Sequence, residues 1–388
     1  MVMGLISIVF VLFPALVIYL CYKFPWVDKL GAVVICYIVG IILGNTGVLP
    51  EGFMKVQESL TDLSVIIALP ILLFSLDVKK WTRHSGKAIL SMVLATVSIT
   101  IVASIGFLIV NDSIHDAWKL VGMAIGLYTG GTPNLAAIKT ALDIDPTIYL
   151  TFHTYDVLIG SIYIVFSITI AKRIFGKFLP AFNAESADVD NDLSADQYEG
   201  EEINSYVGIL KKKTIIGLGI SLVLALVIVG ASFGVSQLFP NAYLTSVVIL
   251  GVTTFGIALS FVPFVKNLEK TFQFGMYIIL VFCLTVGSMA DIAKLFESTS
   301  WVILFYVLFA VFGSMVLHAL LCKIFKIDVD TFIVTSVSAI CSPPFVPMVA
   351  DSLKNKQVVL SGLTAGILGY AIGNYVGISV SYLVKSLM

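Results

Sequence analysis

The stretch Gly130-Gly131-Thr132-Pro133-Asn134 interrupts an apolar run that extends from Trp118 to Leu142. A proline inside a helix removes one amide donor and clashes with the carbonyl a turn earlier, and paired glycines permit backbone conformations that are closed to other residues. The sequence therefore predicts a break in a helix at this point. In hydrocarbon, such a break is tolerated only where it is buried in protein or lines a wet cavity.

A second interruption, Cys341-Ser342-Pro343-Pro344-Phe345-Val346-Pro347, lies in the apolar run from Thr331 to Leu353. Four of the twelve prolines of the chain lie in these two stretches. Matching breaks in the two halves of a membrane protein are the best sequence indication of a transporter's binding site. The alternative is that the paired glycines only allow close helix packing and the proline of the first stretch makes a simple kink.

Composition assigns the chain to the helical membrane proteins. Hydrophobic residues make up 59% of the sequence and charged residues only 12%, against about 25% charged residues in soluble domains. The first apolar run continues into a second without a small-residue cleavage site, so we interpret it as a retained membrane helix and not as a signal peptide. The five cysteines form no CxxC or Cys/His cluster and predict neither a disulfide framework nor a zinc site.

Twelve apolar runs of spanning or near-spanning length follow one another, six on each side of a polar segment. They lie at residues 4–22, 30–49, 60–78, 88–110, 118–142, 147–171, 214–238, 243–263, 272–290, 299–322, 331–353 and 357–384. This order divides the chain into a first membrane repeat at 1–175, an acidic cytoplasmic linker at 176–212 and a second membrane repeat at 213–388. Weak internal symmetry supports the repeats, because Asp77 and Asp291 end matching runs and are followed by Lys79 and Lys294.

The lysines and arginines discriminate between two topologies. Twelve full crossings would place ten basic residues on one side and thirteen on the other, which is no asymmetry. If both interrupted segments are instead re-entrant hairpins, eighteen basic residues lie inside and five outside. We therefore predict an all-α polytopic membrane protein of two inverted repeats, each with about five transmembrane helices and one broken or re-entrant helix. Twelve full crossings remain the alternative.

The side chains at the two breaks are suited to binding an ion or a small solute. Half-helix ends near mid-membrane offer amides to an anion and carbonyls to a cation. Thr132, Asn134 and Ser342 add neutral oxygens, which hard cations prefer as ligands, although each could equally be a helix cap. Together with Asp156, Thr132 and Asn134 define a possible sodium site, with Na⁺ or H⁺ as the coupling ion and no other cofactor.

Asp156 lies about nine residues into the run that begins near Thr147, or roughly 14 Å deep in the hydrocarbon core. An ionisable group at that depth is costly and is a functional candidate by default; the alternative is a structural hydrogen bond. His153, one turn away, could share a proton with it or could be only a hydrogen-bonded neighbour. Asn374 and Tyr375, in the last run, could complete the cavity from the other repeat.

The segment from Gly126 to Ile138, together with the break from Ser342 to Pro344, resembles the bacterial membrane family called domain of unknown function 819. That family is grouped with the cation/proton antiporter and bile-acid symporter superfamily. The resemblance implies inverted repeats, broken helices or hairpins, a mobile core beside a dimerising scaffold, and a place in the bacterial inner membrane. By the same resemblance, the residues from Gly130 to Asn134 and from Ser342 to Pro344 would line the transport site.

These observations favour a secondary active transporter that carries a small organic solute coupled to sodium or protons. Symport fits better than cation/proton antiport, because antiporters of the superfamily often carry paired acidic residues where this chain offers only Asp156. An ion channel is the alternative. An intramembrane enzyme is disfavoured because the sequence contains no HExxH, nucleophile elbow or suitable aspartate pair. The expected partners are the lipid bilayer, a small solute and a second copy of the chain in a homodimer, without nucleic acid.

Overall fold

A computed structural model describes residues 2–28, 31–50, 52–75, 86–182, 203–290 and 298–388. These residues form α-helices joined by short turns, and none of them lies in a β-strand. The all-α membrane fold predicted from composition is therefore confirmed. The predicted linker core, residues 183–202, lies outside the described residues, as do Asp77, Lys79, Asp291 and Lys294.

Every one of the twelve predicted runs coincides with a helix in the described residues. The helices of the first half are α1 (Val2–Lys23), α2 (Ala32–Asn45), α3 (Met54–Phe74), α4 (Gly86–Val110), α5 (Trp118–Ala141) and α6 (Pro146–Phe166). Those of the second half are α7 (Lys212–Ser236), α8 (Leu244–Ser260), α9 (Thr271–Met289), α10 (Ser298–Ile324), α11 (Val329–Cys341), α12 (Val346–Ser352) and α13 (Val359–Ser386). The eleventh predicted run is divided between α11 and α12, and a π turn at Ser167–Ala171 extends α6.

Eight of the helices in the described residues are long and apolar enough to cross a membrane, namely α1, α3, α4, α6, α7, α9, α10 and α13. The chain is thus a multi-pass membrane protein. The apolar helices α2, α8 and α11 have only 14, 17 and 13 residues, fewer than the roughly 20 that a crossing needs. In α2 the predicted run is shortened because Gly31 and Gly47 adopt positive φ angles of 80° and 71° at its two ends. The number of crossings stays a prediction.

The helices group into two compact units, and each unit combines matching helices of the two halves. The first unit contains α1, α2, α3, α7, α8, α9 and the segment Lys139–Thr151. The second contains α4, α10, α11, α12, α13 and most of α5 and α6. The grouping of helices in space does not test whether residues 1–175 and 213–388 are duplicated repeats, so these repeats stay a prediction.

Backbone-to-backbone contact between two helices organises the first unit. A Cβ atom on Gly40 or Gly44 of α2 would collide with the backbone of Leu284 or Ser288 in α9. Small residues permit this kind of close approach between membrane helices. The Tyr37 hydroxyl lies 2.8 Å from that of Tyr149, so the segment Lys139–Thr151 is fixed to α2 by a hydrogen bond.

A buried polar contact and a small apolar core organise the second unit. The hydroxyl of Ser91 in α4 lies 2.6 Å from Thr335 Oγ1 in α11 and 3.1 Å from His318 Nε2 in α10. Because a buried polar group is costly unless it is hydrogen-bonded, this contact favours one alignment of the three helices. Next to it, Met92 packs among the alanines of α4, α11 and α13, and the helices can approach closely there.

Candidate binding site at the two helix breaks

The first break is formed by Gly130 and Gly131 in α5. The backbone leaves the helical conformation at Tyr128 (φ −84°, ψ 17°), Gly130 (φ −130°, ψ 15°) and Gly131 (φ 65°, ψ −161°). The conformation of Gly131 is one that only glycine adopts readily, and Pro133 has no amide hydrogen to continue the ladder across the break. The interruption predicted from the sequence is therefore present and has a local chemical cause.

At this break the chain of α5 reverses direction. A Cβ atom on Gly126 would lie 2.8 Å from Ile138 Cγ1, twelve residues later, whereas a straight helix would separate these residues by about 18 Å. A Cβ atom on Gly377 of α13 would contact both Ile138 and the backbone of Gly126. The two arms of α5 consequently run side by side against the same face of α13.

The second break lies at Ser342, which has a φ of 90° and a ψ of 153°. Positive φ is unusual for a residue other than glycine, and strain of this kind clusters at functional sites. The three residues Pro343–Phe345 form a 3₁₀ turn, and α12 follows it. The predicted interruption from Ser342 to Pro344 is thus also present in the described structure.

The chain reverses at the second break as well, with the same spacing. A Cβ atom on Gly362 of α13 would lie 2.6 Å from Val346 Cγ1 and 3.2 Å from Val334 Cβ, two residues that are twelve positions apart. Further from the break, Asn355 Nδ2 donates to Asp330 Oδ2 over 2.9 Å. A straight helix would place Asp330 and Asn355 about 37 Å apart, so the two ends of this segment lie together.

A lysine in the short helix Lys172–Phe175, which follows the π turn after α6, joins these two ends. Lys172 Nζ lies 2.8 Å from Asp330 Oδ1 and donates to the Leu353 carbonyl over 3.2 Å. The Asp330 side chain is almost fully buried, while that of Lys172 is half exposed. A buried carboxylate needs a partner of opposite charge, and this one lysine serves both the start of α11 and the end of α12.

The two breaks meet each other beside α13. A Cβ atom on Gly131 would lie 3.1 Å from Ser342 Oγ and 3.9 Å from Tyr370 Oη. Asn134 Nδ2 donates to the carbonyls of Gly369 and Tyr370 over 3.2 and 3.4 Å. The structure therefore brings together two sequence-predicted stretches that lie about 210 residues apart.

Asp156 lies in α6 and is buried next to both breaks. Its Oδ2 atom lies 3.5 Å from His153 Nδ1, and both side chains are largely shielded from solvent. It interacts electrostatically with Tyr128, two residues before the first break, and with Cys341, directly before the second. Asp156 Oδ1 and the Tyr128 hydroxyl are both fully buried, and the hydroxyl lies close enough to the carboxylate to interact with it.

The remaining predicted residues lie on the same elements. Thr132 is partly buried and Pro133 is buried at the start of the second arm of α5. Asn374 is fully buried and Tyr375 partly buried in α13. They follow Gly373, where a Cβ atom would contact Thr129 and Asn134. A role for any of these residues in binding stays a prediction.

Sequence analysis missed the face of α13 that receives both breaks. Its glycines recur every three or four residues, at Gly362, Gly366, Gly369, Gly373 and Gly377. Each contacts an arm of α5, α11 or α12. Such spacing of small residues is a readable sign of close helix packing. Tyr128 was missed too, because a tyrosine in an apolar run is indistinguishable from a core residue.

Comparisons with known proteins agree with the resemblance seen in the motifs. A family model described as "Protein of unknown function (DUF819)" matches residues 7–387. A Bacillus subtilis (strain 168) protein named "Uncharacterized membrane protein YjcL" is 22% identical over 364 residues, which cover 92% of this chain and 90% of that protein. The similarity therefore extends over both halves and both breaks.

Proposed function

The chain belongs to the family of unknown function DUF819, and from this premise we propose that it is a secondary active transporter. It carries a small organic solute, coupled to sodium or protons, across the bacterial inner membrane. The observation that carries the proposal is the meeting of two helix breaks beside one buried carboxylate, Asp156. Transporter sites are built in this way, from discontinuous helices near the middle of the bilayer.

The chain reversals support re-entrant hairpins at both breaks. In the second segment, the hydrogen bond between Asp330 and Asn355 brings the entry and exit points together. With a hairpin in each half, ten helices remain to cross, and the two repeats have opposite orientations. Both termini then lie outside and the acidic linker inside, as the distribution of basic residues favours.

The composition of the two units supports a mechanism of the moving-core type. The second unit contains both breaks and Asp156, while the first unit takes the first three helices of each half. A substrate-bearing core built from the same part of both repeats can move past a scaffold as one body, in an elevator-like or rocking motion. The cation/proton antiporter and bile-acid symporter superfamily shares this plan, and by that analogy the scaffold forms a homodimer.

The hairpin topology predicts a labelling pattern for single cysteines. In a Cys341→Ser background the other four thiols are buried. His115→Cys and Asp143→Cys, at the two ends of the first broken segment, should both react with an impermeant maleimide added outside. Lys326→Cys and Lys354→Cys, at the two ends of the second, should both react only after the inside is exposed.

The matched pairs make the labelling result decisive. All four positions are exposed within the described structure, so a failure to react from one side reports sidedness and not burial. Reaction of the two members of either pair from opposite sides would establish a full crossing for that segment. It would then favour the alternative of twelve crossings.

Purified protein in liposomes tests the function itself. A carrier should give saturable uptake of a solute that depends on an imposed sodium or proton gradient and collapses when the gradient is dissipated. A pore would instead give single-channel current without accumulation against a gradient. Current of that kind, with no saturable uptake, would replace the carrier by the channel alternative.

A further inference from the structure

The second break offers very few amide donors to an anion. Pro343, Pro344 and Pro347 have no N–H group. The two amides between them are already used, since Phe345 donates to the Ser342 carbonyl over 3.3 Å and Val346 to the Pro343 carbonyl. Anion binding at a helix N-terminus depends on free amides that point at the ligand. This half-helix is therefore unsuited to a carboxylate or a phosphate.

The first break also lacks one donor. Pro133 removes one amide, and the side-chain amide of Asn134 already donates to two carbonyls of α13. Among the described residues, the recorded contacts of the two breaks and of Asp156 include no lysine or arginine side chain. Within the described residues, Asp156 is the acidic side chain that lies at the two breaks, and His153 is a neighbour of it that can carry a positive charge.

The surroundings of Asp156 favour an organic cation over a metal ion. Its neighbours among the described residues include a hydroxyl, a thiol and an imidazole, from Tyr128, Cys341 and His153. A sodium ion prefers several oxygen ligands, and of these three side chains only that of Tyr128 supplies one. Two further buried aromatic rings adjoin Tyr128: its ring centroid lies 6.4 Å from that of Phe152, which lies 6.4 Å from that of Tyr306. Ammonium groups are attracted to the faces of such rings.

We propose that the solute bound at the two breaks carries an ammonium group that pairs with Asp156. The inference rests on the proposed transport function for its physiological meaning, and it narrows the substrate class to amines or quaternary ammonium compounds. Solutes whose only charge is a carboxylate or phosphate should bind less well at this site.

Thermal unfolding of the purified protein tests the proposal without requiring transport. The probes are methylammonium chloride and tetramethylammonium chloride, titrated at constant ionic strength against sodium chloride. Sodium acetate is the anionic control, and tert-butanol is a neutral molecule of similar size to tetramethylammonium. A ligand that binds only the folded state raises the unfolding temperature. We expect a saturable rise of about 2 °C or more with at least one of the two ammonium probes.

Three variants connect this shift to the site. Asp156→Asn should lose the shift, and Asp351→Asn, which changes an exposed aspartate on α12, should keep it. Tyr128→Phe, which removes one hydroxyl, should weaken the binding at least twofold if Asp156→Asn fails to fold. No saturable shift with either probe, an equal shift with sodium acetate or sodium chloride, or a full shift in Asp156→Asn overturns the proposal. Failure of the proposed function would look different. The ammonium probes would still raise the unfolding temperature, but no gradient-driven uptake would occur.

Discussion

Asp156→Asn is expected to reduce gradient-driven accumulation to the level of protein-free liposomes, while the protein remains folded. The substitution keeps the size and the polarity of the side chain but removes the single negative charge next to the two breaks. Without that charge, neither a coupling ion nor a positively charged solute is stabilised at the site. The measurement is uptake into proteoliposomes that contain equal amounts of the parent and the variant protein.

The unfolding temperature separates this functional role from a structural one. A buried charge is costly to the folded protein, and asparagine keeps the size and polarity of the buried Asp156 side chain without its charge. Replacing the carboxylate should therefore leave the unfolding temperature unchanged or raise it. A clear fall in that temperature, with uptake lost in proportion to unfolded protein, would assign Asp156 to the structure and not to transport.

A neutral residue at the same site shows how small the effect of losing one hydrogen bond should be beside the loss of uptake expected for Asp156→Asn. Asn134 makes two hydrogen bonds to carbonyls of α13, and a neutral hydrogen bond contributes about 0.5–1.5 kcal/mol. Loss of one such bond corresponds to a change of roughly two- to tenfold in affinity. The complete loss expected for Asp156→Asn is larger because a charge, and not a dipole, is removed.

The helix breaks could be predicted from the sequence because their causes are local. Gly131 and Pro133 disrupt a helix through their own backbone chemistry, and Ser342 lies directly before two prolines. The sequence could not predict that the two breaks meet, since that contact depends on the packing of α5, α11 and α13. Nor could it predict the pairing of Lys172 with Asp330, because polar residues near the end of an apolar run resemble residues at the membrane interface.

The depth of Asp156 in its run could also be predicted, whereas its neighbours could not. Counting residues along α6 was enough to predict a position near mid-membrane for the carboxylate, which stays a prediction. The approach of Tyr128 and Cys341 depends on the reversal of the chain at each break, and no periodicity in the sequence reports such a reversal. It was this environment, and not the carboxylate alone, that favoured an ammonium group as the ligand.

Of the glycine-to-alanine substitutions in the second unit, Gly369→Ala is expected to destabilise the protein most. A Cβ atom there would overlap the carbonyl oxygen of Thr129 and lie 2.8 Å from Met92 Cε. The methionine can move, but the Thr129 carbonyl belongs to the last turn before the first break. Gly369 itself accepts a hydrogen bond from Asn134. Because backbone must shift on both sides of the contact, we expect a cost of about 1–3 kcal/mol or more.

Gly160→Ala is the matched control, since it adds the same methyl group to a helix of the same unit. A Cβ atom on Gly160 would have no heavy atom within 4 Å, and alanine is favoured over glycine in a helix by about 0.5–1 kcal/mol. The unfolding temperature of Gly160→Ala should equal or exceed that of the parent, and its uptake should be normal. Gly369→Ala should instead show a lower unfolding temperature and slower uptake. Equal stability and equal uptake in the two variants would mean that α13 does not hold the first break in the close contact on which the site depends.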